Sequence, residues 1–329
     1  MISLRVPGTS LGLLLALTLA GCSTPGAPSP TPASSTSPSP GPSTDVPADE
    51  ASQEAQVPEA VRLTREGRLD ELADLLRGPG SRRRVRTDGA AALAAVGNQH
   101  TRQTLALLAA AGVEGEVESP ESAAHFWRRA TALPKDPTGA LAVASDTGDL
   151  ALAAAALRAG AGTETRDDAG RTPLLVAATE DRVEVARLLV RRGADPDALD
   201  GRHDTPWLVT GVTGSVAMGR VLLAAGADLT VRNRYGGLSV IPASERGHAE
   251  YVEWVVGTDI DLDHVNDLGW TALLEAVILG DGGPRHQRIV RALLEAGADP
   301  SIADADGVSA LEHARAKGQR AVVALLEQA

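Results

Sequence analysis

Three carboxylates and one imidazole between residues 245 and 286 have the chemistry to bind a metal ion or a small ligand. They belong to Glu245, Glu275, Asp281 and His286, and mixed carboxylate and imidazole ligands suit transition metals. No two histidines of the chain have the i, i+4 spacing of a known metal motif, and Gly280–Gly283 is not followed by the Lys-Ser/Thr of a phosphate loop. We therefore predict no metal, no cofactor and no catalytic residue, and keep a ligand-binding pocket, metal-binding or even catalytic, as the alternative function of these four side chains.

The only cysteine of the chain, Cys22, offers a different chemistry. It follows an apolar run from Leu11 to Ala20, which is preceded by Arg5. The run is too short to span a membrane but fits the core of a signal peptide. The Leu-Ala-Gly-Cys sequence that ends at Cys22 resembles the lipobox of bacterial lipoproteins. That resemblance implies that residues 1–21 are a signal peptide and that Cys22 becomes the first mature residue, carrying a diacylglycerol thioether. An ordinary signal peptide and an uncleaved anchor are the alternatives.

The segment from residue 22 to residue 57 has the composition of a tether. Eight prolines lie between Ser23 and Glu50, among many serines and threonines. Such a segment buries too little apolar surface to offset the entropy of ordering, so we predict a disordered linker. Two or more acyl chains on Cys22 would give lasting attachment. We therefore expect a lipid-anchored protein at the cell membrane on its extracytoplasmic side, in a periplasm or at a cell surface.

A 33-residue period runs through the rest of the chain. The threonine that opens a unit recurs at Thr172, Thr205 and Thr271, and the glycine that closes it recurs at Gly193 and Gly226. Threonine followed by proline is typical of a helix N-cap and first helical residue, and the glycine is typical of a left-handed helix end. Since one such unit cannot bury its own apolar face, the units must stack.

This pattern resembles the ankyrin repeat, and the resemblance covers nearly all of residues 58–329. It implies an all-α solenoid of about eight helix–turn–helix units joined by β-hairpin-like turns. We predict insertions near residues 119–135 and 281–285. The eight units begin near residues 58, 86, 136, 167, 200, 233, 266 and 304.

Solenoids of this kind bind through their turn tips and the exposed side of their first helices, which form one concave face. At the predicted tips, arginines lie beside aromatic and acidic residues, a composition typical of binding hot spots. We predict partner contacts by Arg171, Arg202, His203, Asp204, Arg234, Tyr235, Asn266, Asp267 and Trp270.

Glu275 stands where units four and five have Val176 and Val209. A carboxylate in an apolar position needs a partner or a shifted pKa. The sequence offers three basic partners, Arg234, Arg285 and His286. A salt-bridge network between units six and seven and an open pocket at the same place both remain possible.

The overall charge excludes some classes of partner. The net charge is −12, with 43 acidic against 31 basic residues, so non-specific nucleic-acid binding is not expected. A single cysteine also excludes disulfide frameworks and zinc fingers within one chain. The sequence therefore predicts a monomeric, membrane-anchored protein–protein interaction scaffold, with an unknown envelope protein as its partner, rather than an enzyme.

Overall fold

The computed structural model describes residues 57–97, 101–117 and 120–329, and within these ranges the chain is built from α-helices and turns without strands. The predicted signal peptide, Cys22 and the linker up to residue 56 lie outside the described residues. In the described ranges, no helix is long and apolar enough to cross a membrane. The helices are α1 (Glu59–Glu66), α2 (Leu69–Arg77), α3 (Ser81–Ala94), α4 (Thr101–Ala110), α5 (Glu121–Thr131), α6 (Pro137–Thr147), α7 (Leu150–Arg158), α8 (Pro173–Thr179), α9 (Val183–Arg191), α10 (Pro206–Thr213), α11 (Val216–Ala224), α12 (Val240–Glu245), α13 (Ala249–Val255), α14 (Ala272–Ile278), α15 (Pro284–Glu295), α16 (Ala310–Ala316) and α17 (Arg320–Leu326).

The repeated threonines begin the first helices of units four, five and seven, as the sequence predicts. The Thr172 hydroxyl accepts a hydrogen bond from the Leu175 amide at 3.2 Å, and Thr205 and Thr271 do the same three residues along. Each bond satisfies an amide that has no partner inside the helix, which stabilises the helix by about 1 kcal/mol. The local sequence therefore fixes where these helices start.

Unit six starts differently because its threonine is replaced by Leu238. Ser239 precedes the helix but makes no side-chain cap, and its own φ and ψ are already helical. Helix α12 begins at Val240, one residue later than its counterparts, and has only 6 residues. Pro242 lies inside its first turn, where a missing amide hydrogen is tolerated.

The first and second helices of units three to eight form two parallel rows. In one row α6, α8, α10, α12, α14 and α16 contact one another in order, and in the other α7, α9, α11, α13, α15 and α17 do the same. Close approach of α10 and α12 depends on Gly211, because a Cβ atom there would lie 1.9 Å from the Ser239 carbonyl oxygen. The small residues of the period thus set the distance between neighbouring units.

The aromatic residues of units five and six belong to the core. Trp207 and Tyr251 are fully buried, and Trp254 packs edge-on against both rings, with its ring centroid 6.2 Å from that of Trp207. The Tyr251 hydroxyl lies 2.7 Å from the Thr210 hydroxyl and donates to Ser239 at 3.2 Å. Burial raises the pKa of Tyr251 to about 12. The three aromatic side chains are therefore part of the core and not of an exposed surface.

The first four helices are placed differently from what the repeat pattern predicts. The sequence predicts units one and two as the start of the linear stack, yet α2 and α4 both contact α9, the second helix of unit four. The Arg191 guanidinium donates to Asp70 at 2.8 Å, and the Gln103 amide donates to the Glu184 carbonyl at 2.9 Å. The N-terminal helices therefore lie against the row of second helices and leave the row of first helices open.

Helix α5 of the predicted insertion accounts for part of this arrangement. It packs against both α4 and α7. Phe126 and Trp127 are buried in that contact, and the Trp127 indole donates to the Gly115 carbonyl at 2.8 Å. The insertion thus joins the N-terminal helices to the regular stack.

Candidate functional site

A groove of about 820 Å³ lies on the open side of units four to seven, between the turn tips and the first helices. Its walls come from the tips that precede α8, α10, α12 and α14 and from residues along those four helices. We call it the inner groove. It is lined by Ala169, Arg171, Leu175, Thr179, Asp200, Arg202, Asp204, Val209, Val212, Asn233, Arg234, Tyr235, Gly237, Ile241, Pro242, Glu245, Arg246, Asn266, Leu268, Glu275 and Leu279.

Four of the eight large apolar side chains that are exposed in the described residues line the inner groove. Val212, Tyr235, Leu268 and Leu279 all line it, and Tyr235 and Leu268 are each 54% exposed. Large apolar side chains that share one concavity are typical of an interaction site, whereas single ones on a surface are not. The groove therefore has the composition of a binding surface.

The turn tips on one wall of the groove share one hydrogen-bonding device. In each unit an Asp or Asn side-chain oxygen accepts the backbone amides two and four residues further along the chain. These two hydrogen bonds lie within one unit and hold its tip in an Asx-type turn. The residues in this position are Asp167, Asp200, Asn233, Asn266 and Asp304.

In unit seven the tip residue is also bonded to the first helix. The side-chain amide of Asn266 donates to the Glu275 carboxylate at 2.8 Å, and both residues are more than nine-tenths buried. Burial and, to a lesser extent, the nearby Glu245 carboxylate together raise the pKa of Glu275 to about 7, while the Asn266 hydrogen bond opposes both effects. Removing a carboxylate from water disfavours its charged form, so Glu275 titrates near neutrality.

The same pair of positions is polar again in unit eight. The helix position of Glu275 is taken by Val176, Val209 and Pro242 in the three preceding units and by His313 in the last. The His313 Nε2 atom lies 2.7 Å from the Asp304 carboxylate, nine residues earlier, as Glu275 follows Asn266. The tip residue and the helix residue are therefore complementary in both units. In unit seven the Asn266 amide faces the Glu275 carboxyl, and in unit eight the Asp304 carboxylate faces the His313 imidazole.

The arginines at the tips are partly engaged within the chain. Arg234 lies over the Tyr235 ring at 4.6 Å and donates to Asp204 at 3.3 Å, while Arg171 pairs with the Asp167 carboxylate at 2.8 Å. Burial raises the pKa of Asp204, and the Arg234 charge opposes that effect. The Arg234–Tyr235 pair forms a flat cationic and aromatic surface on the wall of the inner groove.

Eight of the predicted site residues line the inner groove together. They are Arg171, Arg202, Asp204, Arg234, Tyr235, Asn266, Glu245 and Glu275. The two sets, tip residues and helix carboxylates, face one cavity because each first helix begins directly after its own tip. Whether they contact a partner stays a prediction.

Asp281 and His286 lie away from the groove, contrary to the predicted pocket. His286 Nδ1 is 2.7 Å from the Asp281 carboxylate, and its Nε2 is 3.2 Å from the backbone carbonyl of Glu245. The Gly283 amide and His286 both lower the pKa of Asp281. The two side chains contact each other beside the turn between α14 and α15, and neither makes a hydrogen bond to Glu275.

Other side chains of the chain occupy the space beside the glycines of that turn. A Cβ atom at Gly282 would lie 2.6 Å from the Gln319 side chain. The Gln319 amide donates to the Val277 and Gly280 carbonyls at 3.0 and 3.1 Å, and the Lys317 ammonium bonds the same two carbonyls at 3.1 and 2.9 Å. Gln319 and Lys317 therefore cover the C-terminal end of α14, in the place where a ligand would have to bind.

Three tip predictions also fall outside the groove. Trp270, expected at an exposed tip position, is half-buried and packs on the core. His203 is exposed with a left-handed backbone (φ 63°), and the Asp267 amide donates to the Tyr235 carbonyl at 2.9 Å. The backbone of Trp270 closes the turn on Asn266, while its ring packs on the core instead of lining the groove.

The sequence reasoning missed three apolar groove residues, Val212, Leu268 and Leu279. Leu279 stands where the three preceding units have Glu180, Thr213 and Arg246. An apolar residue at a position that is polar in neighbouring units is the signal that would have identified it. The partner predicted for Glu275 was also wrong, because Asn266 rather than an arginine or His286 contacts its carboxylate.

Metal chemistry has no support in the described ranges. No group of three or more His, Cys, Asp or Glu side chains within residues 57–97, 101–117 and 120–329 is arranged to hold a metal ion. The arrangement of the groove instead suits recognition by shape, apolar contact and charge.

Comparisons with protein families match the regular part of the chain. The family model described as Ankyrin repeats (3 copies) matches residues 214–304 and 240–329, and the Ankyrin repeat model matches residues 169–201. The putative ankyrin repeat protein YahD of Escherichia coli (strain K12) is 45% identical over 94 residues. That stretch is 28% of this chain and 47% of YahD, so the chain spans about half the length of this relative.

Solved structures of similar fold cover a larger share of the chain. An ankyrin repeat domain from Acinetobacter baumannii AYE is 43% identical with a TM-score of 0.55, over 57% of this chain and 96% of that domain. The ankyrin repeat protein EF0377 is 36% identical with a TM-score of 0.55, over 58% of this chain and 98% of that protein. The ankyrin repeat domain of Bcl-3, a member of the IkappaB protein family, is 27% identical with a TM-score of 0.51, over 57% of this chain and 85% of that domain.

Proposed function

We propose that this chain, which belongs to the ankyrin repeat family, is a membrane-anchored scaffold that binds a protein partner through the inner groove. Ankyrin repeats mediate protein–protein interactions in general. The observation that carries the proposal is the grouping of exposed apolar side chains with arginines and carboxylates in one cavity of about 820 Å³. Aromatic and arginine side chains are the residues on which binding energy most often depends.

The position of the N-terminal helices supports this use of the groove. They contact α9 in the row of second helices, so the opposite side of the stack stays open from unit four to unit seven. A partner therefore reaches Tyr235 and Leu268 without displacing any part of the described chain.

Attachment to the membrane is proposed from the sequence. The lipobox-like end of the apolar run supports lipidation of Cys22, and the proline-rich segment supports a spacer. A linker of about 35 residues reaches roughly 100 Å as polyproline II, enough to hold the groove clear of a lipid surface. The proposed location is the extracytoplasmic side of the cell membrane, in a periplasm or at a cell surface.

A small-ligand pocket at the same place remains the second candidate, because Glu275 titrates near neutrality inside the groove. Such a site would use Glu245 and Glu275 without Asp281 and His286. No described side chain near Glu275 has the arrangement of a nucleophile activated by a base, so we assign no reaction to it.

Capture from a cell-envelope extract by the full-length chain in detergent tests the scaffold. Tyr235→Ala with Leu268→Ala removes two exposed groove contacts. Leu133→Ala with Leu199→Ala removes two exposed apolar residues outside the groove and serves as the matched control. We expect one protein to be captured by the wild type and the control and to be lost with the groove variant, whose unfolding temperature stays unchanged. Equal capture by the groove variant would exclude the inner groove as the binding site.

A further inference from the structure

We infer that the partner that enters the inner groove places one basic side chain, a lysine or an arginine, between Glu245 and Glu275. This inference rests on the proposed function and adds the chemistry of the partner. It follows from the charges at this end of the groove, from its apolar wall and from the composition of the chain's own N-terminal segment.

The two carboxylates face one end of the groove without a cation of their own. Glu245 ends helix α12 and Glu275 lies on the neighbouring helix α14, and both line the cavity. Within the described residues, no arginine, lysine or histidine nitrogen lies within 4.0 Å of either carboxylate, although Arg246 lines the same cavity. A carboxylate pair left in this way attracts a cation from outside.

The burial of Glu275 distinguishes this end of the groove from an exposed acidic patch. Glu275 is more than nine-tenths buried, and among the described residues Asn266 is the only hydrogen-bond partner of its carboxylate. Burying a carboxylate costs free energy unless an opposite charge is supplied. An ammonium or guanidinium group that enters between the two helices supplies that charge and lowers the cost.

The apolar wall beside these carboxylates fits the remainder of a basic side chain. Leu279 follows Glu275 by one helical turn, and Leu268 lies two residues beyond Asn266. Lysine and arginine bury their aliphatic stems along apolar surface while the charged end reaches a polar group. The combination of exposed leucines and unpaired carboxylates is therefore suited to these two side chains.

The chain's own tether does not have the chemistry to be the occupant. The segment from Ser23 to Pro58 contains no lysine and no arginine. A net charge of −12 also opposes the approach of a second copy of the chain. A separate protein with an exposed basic segment supplies the positive charge that the tether lacks. It is also not subject to the charge repulsion between two copies of the chain.

Selection from a phage-displayed library of random 12-residue peptides, panned on the detergent-solubilised full-length chain, tests the inference. The probe variant is Glu245→Gln with Glu275→Gln, and the matched control is Glu250→Gln with Glu295→Gln, two exposed carboxylates outside the groove. We expect the wild type and the control to enrich peptides with lysine or arginine at one fixed position. We expect the probe variant to bind the same synthetic peptides at least tenfold more weakly and to enrich no basic position.

The other outcomes separate this inference from the proposed function. Peptides that bind in the groove, are lost with Tyr235→Ala and Leu268→Ala, and show no basic position would overturn the inference and leave the scaffold standing. Absence of any peptide that depends on the groove would count against both. Arg82 and Arg83 are exposed arginines at the start of α3, and they are basic residues that a second copy could offer. Self-association in sedimentation velocity that disappears with Arg82→Glu and Arg83→Glu and with the probe variant would make a second copy the occupant and overturn the inference.

Discussion

Asn266 and Glu275 join a turn tip to the first helix of the same unit by a hydrogen bond of 2.8 Å. The equivalent positions in the next unit are Asp304 and His313, whose side chains lie 2.7 Å apart. In units four and five the helix position is a valine, and the tip aspartate bonds only its own turn. The polar pair is thus a feature of the last two units and places a buried carboxyl at one end of the inner groove.

Replacing Asn266 by aspartate tests the pairing directly. An aspartate still accepts the two turn amides, as Asp167 and Asp200 do, but it faces the Glu275 carboxyl with an oxygen instead of an amide. We expect a loss of about 1–3 kcal/mol in the free energy of unfolding at pH 8, and a smaller loss at pH 5, where Glu275 is protonated. Urea unfolding at the two pH values measures both.

Two further variants complete that test. Asn233→Asp, at the same tip position of unit six, serves as the control and should change stability by less than about 0.5 kcal/mol. Adding Glu275→His to Asn266→Asp recreates the Asp304–His313 pair and should restore most of the loss. Failure of the histidine to restore stability would mean that the two positions do not act as a pair.

Titration of Glu275 makes stability depend on pH. Its pKa is raised from 4.5 to about 7 in the folded chain, so the folded state holds a proton that the unfolded state releases. Stability should therefore be highest below the unfolded pKa and fall as pH rises from 4.5 to 7. Because the groove side is open to solvent, the contribution of this group is about 1–2 kcal/mol.

Glu275→Gln should remove that contribution. The variant keeps the size of the side chain and should be more stable than the wild type at pH 8 and equal to it near pH 4. The comparison is the difference in unfolding free energy between the two proteins across this range. Parallel pH profiles would show that the pKa of Glu275 is the same in the folded and unfolded states, which would contradict the raised pKa.

The period of the chain predicts most of the stack but not the groove chemistry. Thr172 and Thr205 cap helices where the 33-residue spacing places them, whereas α12, which has Leu238 in the threonine position, starts one residue later. The partner of Glu275 was not predictable from charge alone, because proximity depends on the turn that holds Asn266 in place. The contact of Asp70 with Arg191 was also not predictable from the repeat pattern, because it joins residues 121 positions apart.

Gly211→Ala should destabilise the stack although alanine favours helices. The added methyl group would lie 1.9 Å from the Ser239 carbonyl oxygen, so α10 and α12 must move apart. We expect a loss of about 2–3 kcal/mol, measured by thermal and urea unfolding. Val212→Ala, an exposed neighbour on the same helix, is the control and should be nearly neutral. An unchanged Gly211→Ala variant would contradict the close packing of units five and six.

Cys22→Ser tests the proposed anchor. Without the thiol no lipid is attached, so the chain should leave the membrane fraction while its described helices stay folded. Fractionation after a high-salt wash, with circular dichroism of the released protein, measures both. Ser23→Ala is the control and should remain in the membrane. A Cys22→Ser chain that stays bound after the wash would contradict lipidation as the means of attachment.

The most direct test of the inner groove is photo-crosslinking in intact cells. A photoreactive amino acid replaces Leu268 in the groove or, as the control, Leu133 outside it, two residues that are 54% and 68% exposed. We expect one crosslinked protein from position 268 and none from position 133, with loss of the product when Glu245 and Glu275 are both glutamine. The same product from both positions, or a product only from position 133, would contradict the claim that the partner binds in the groove.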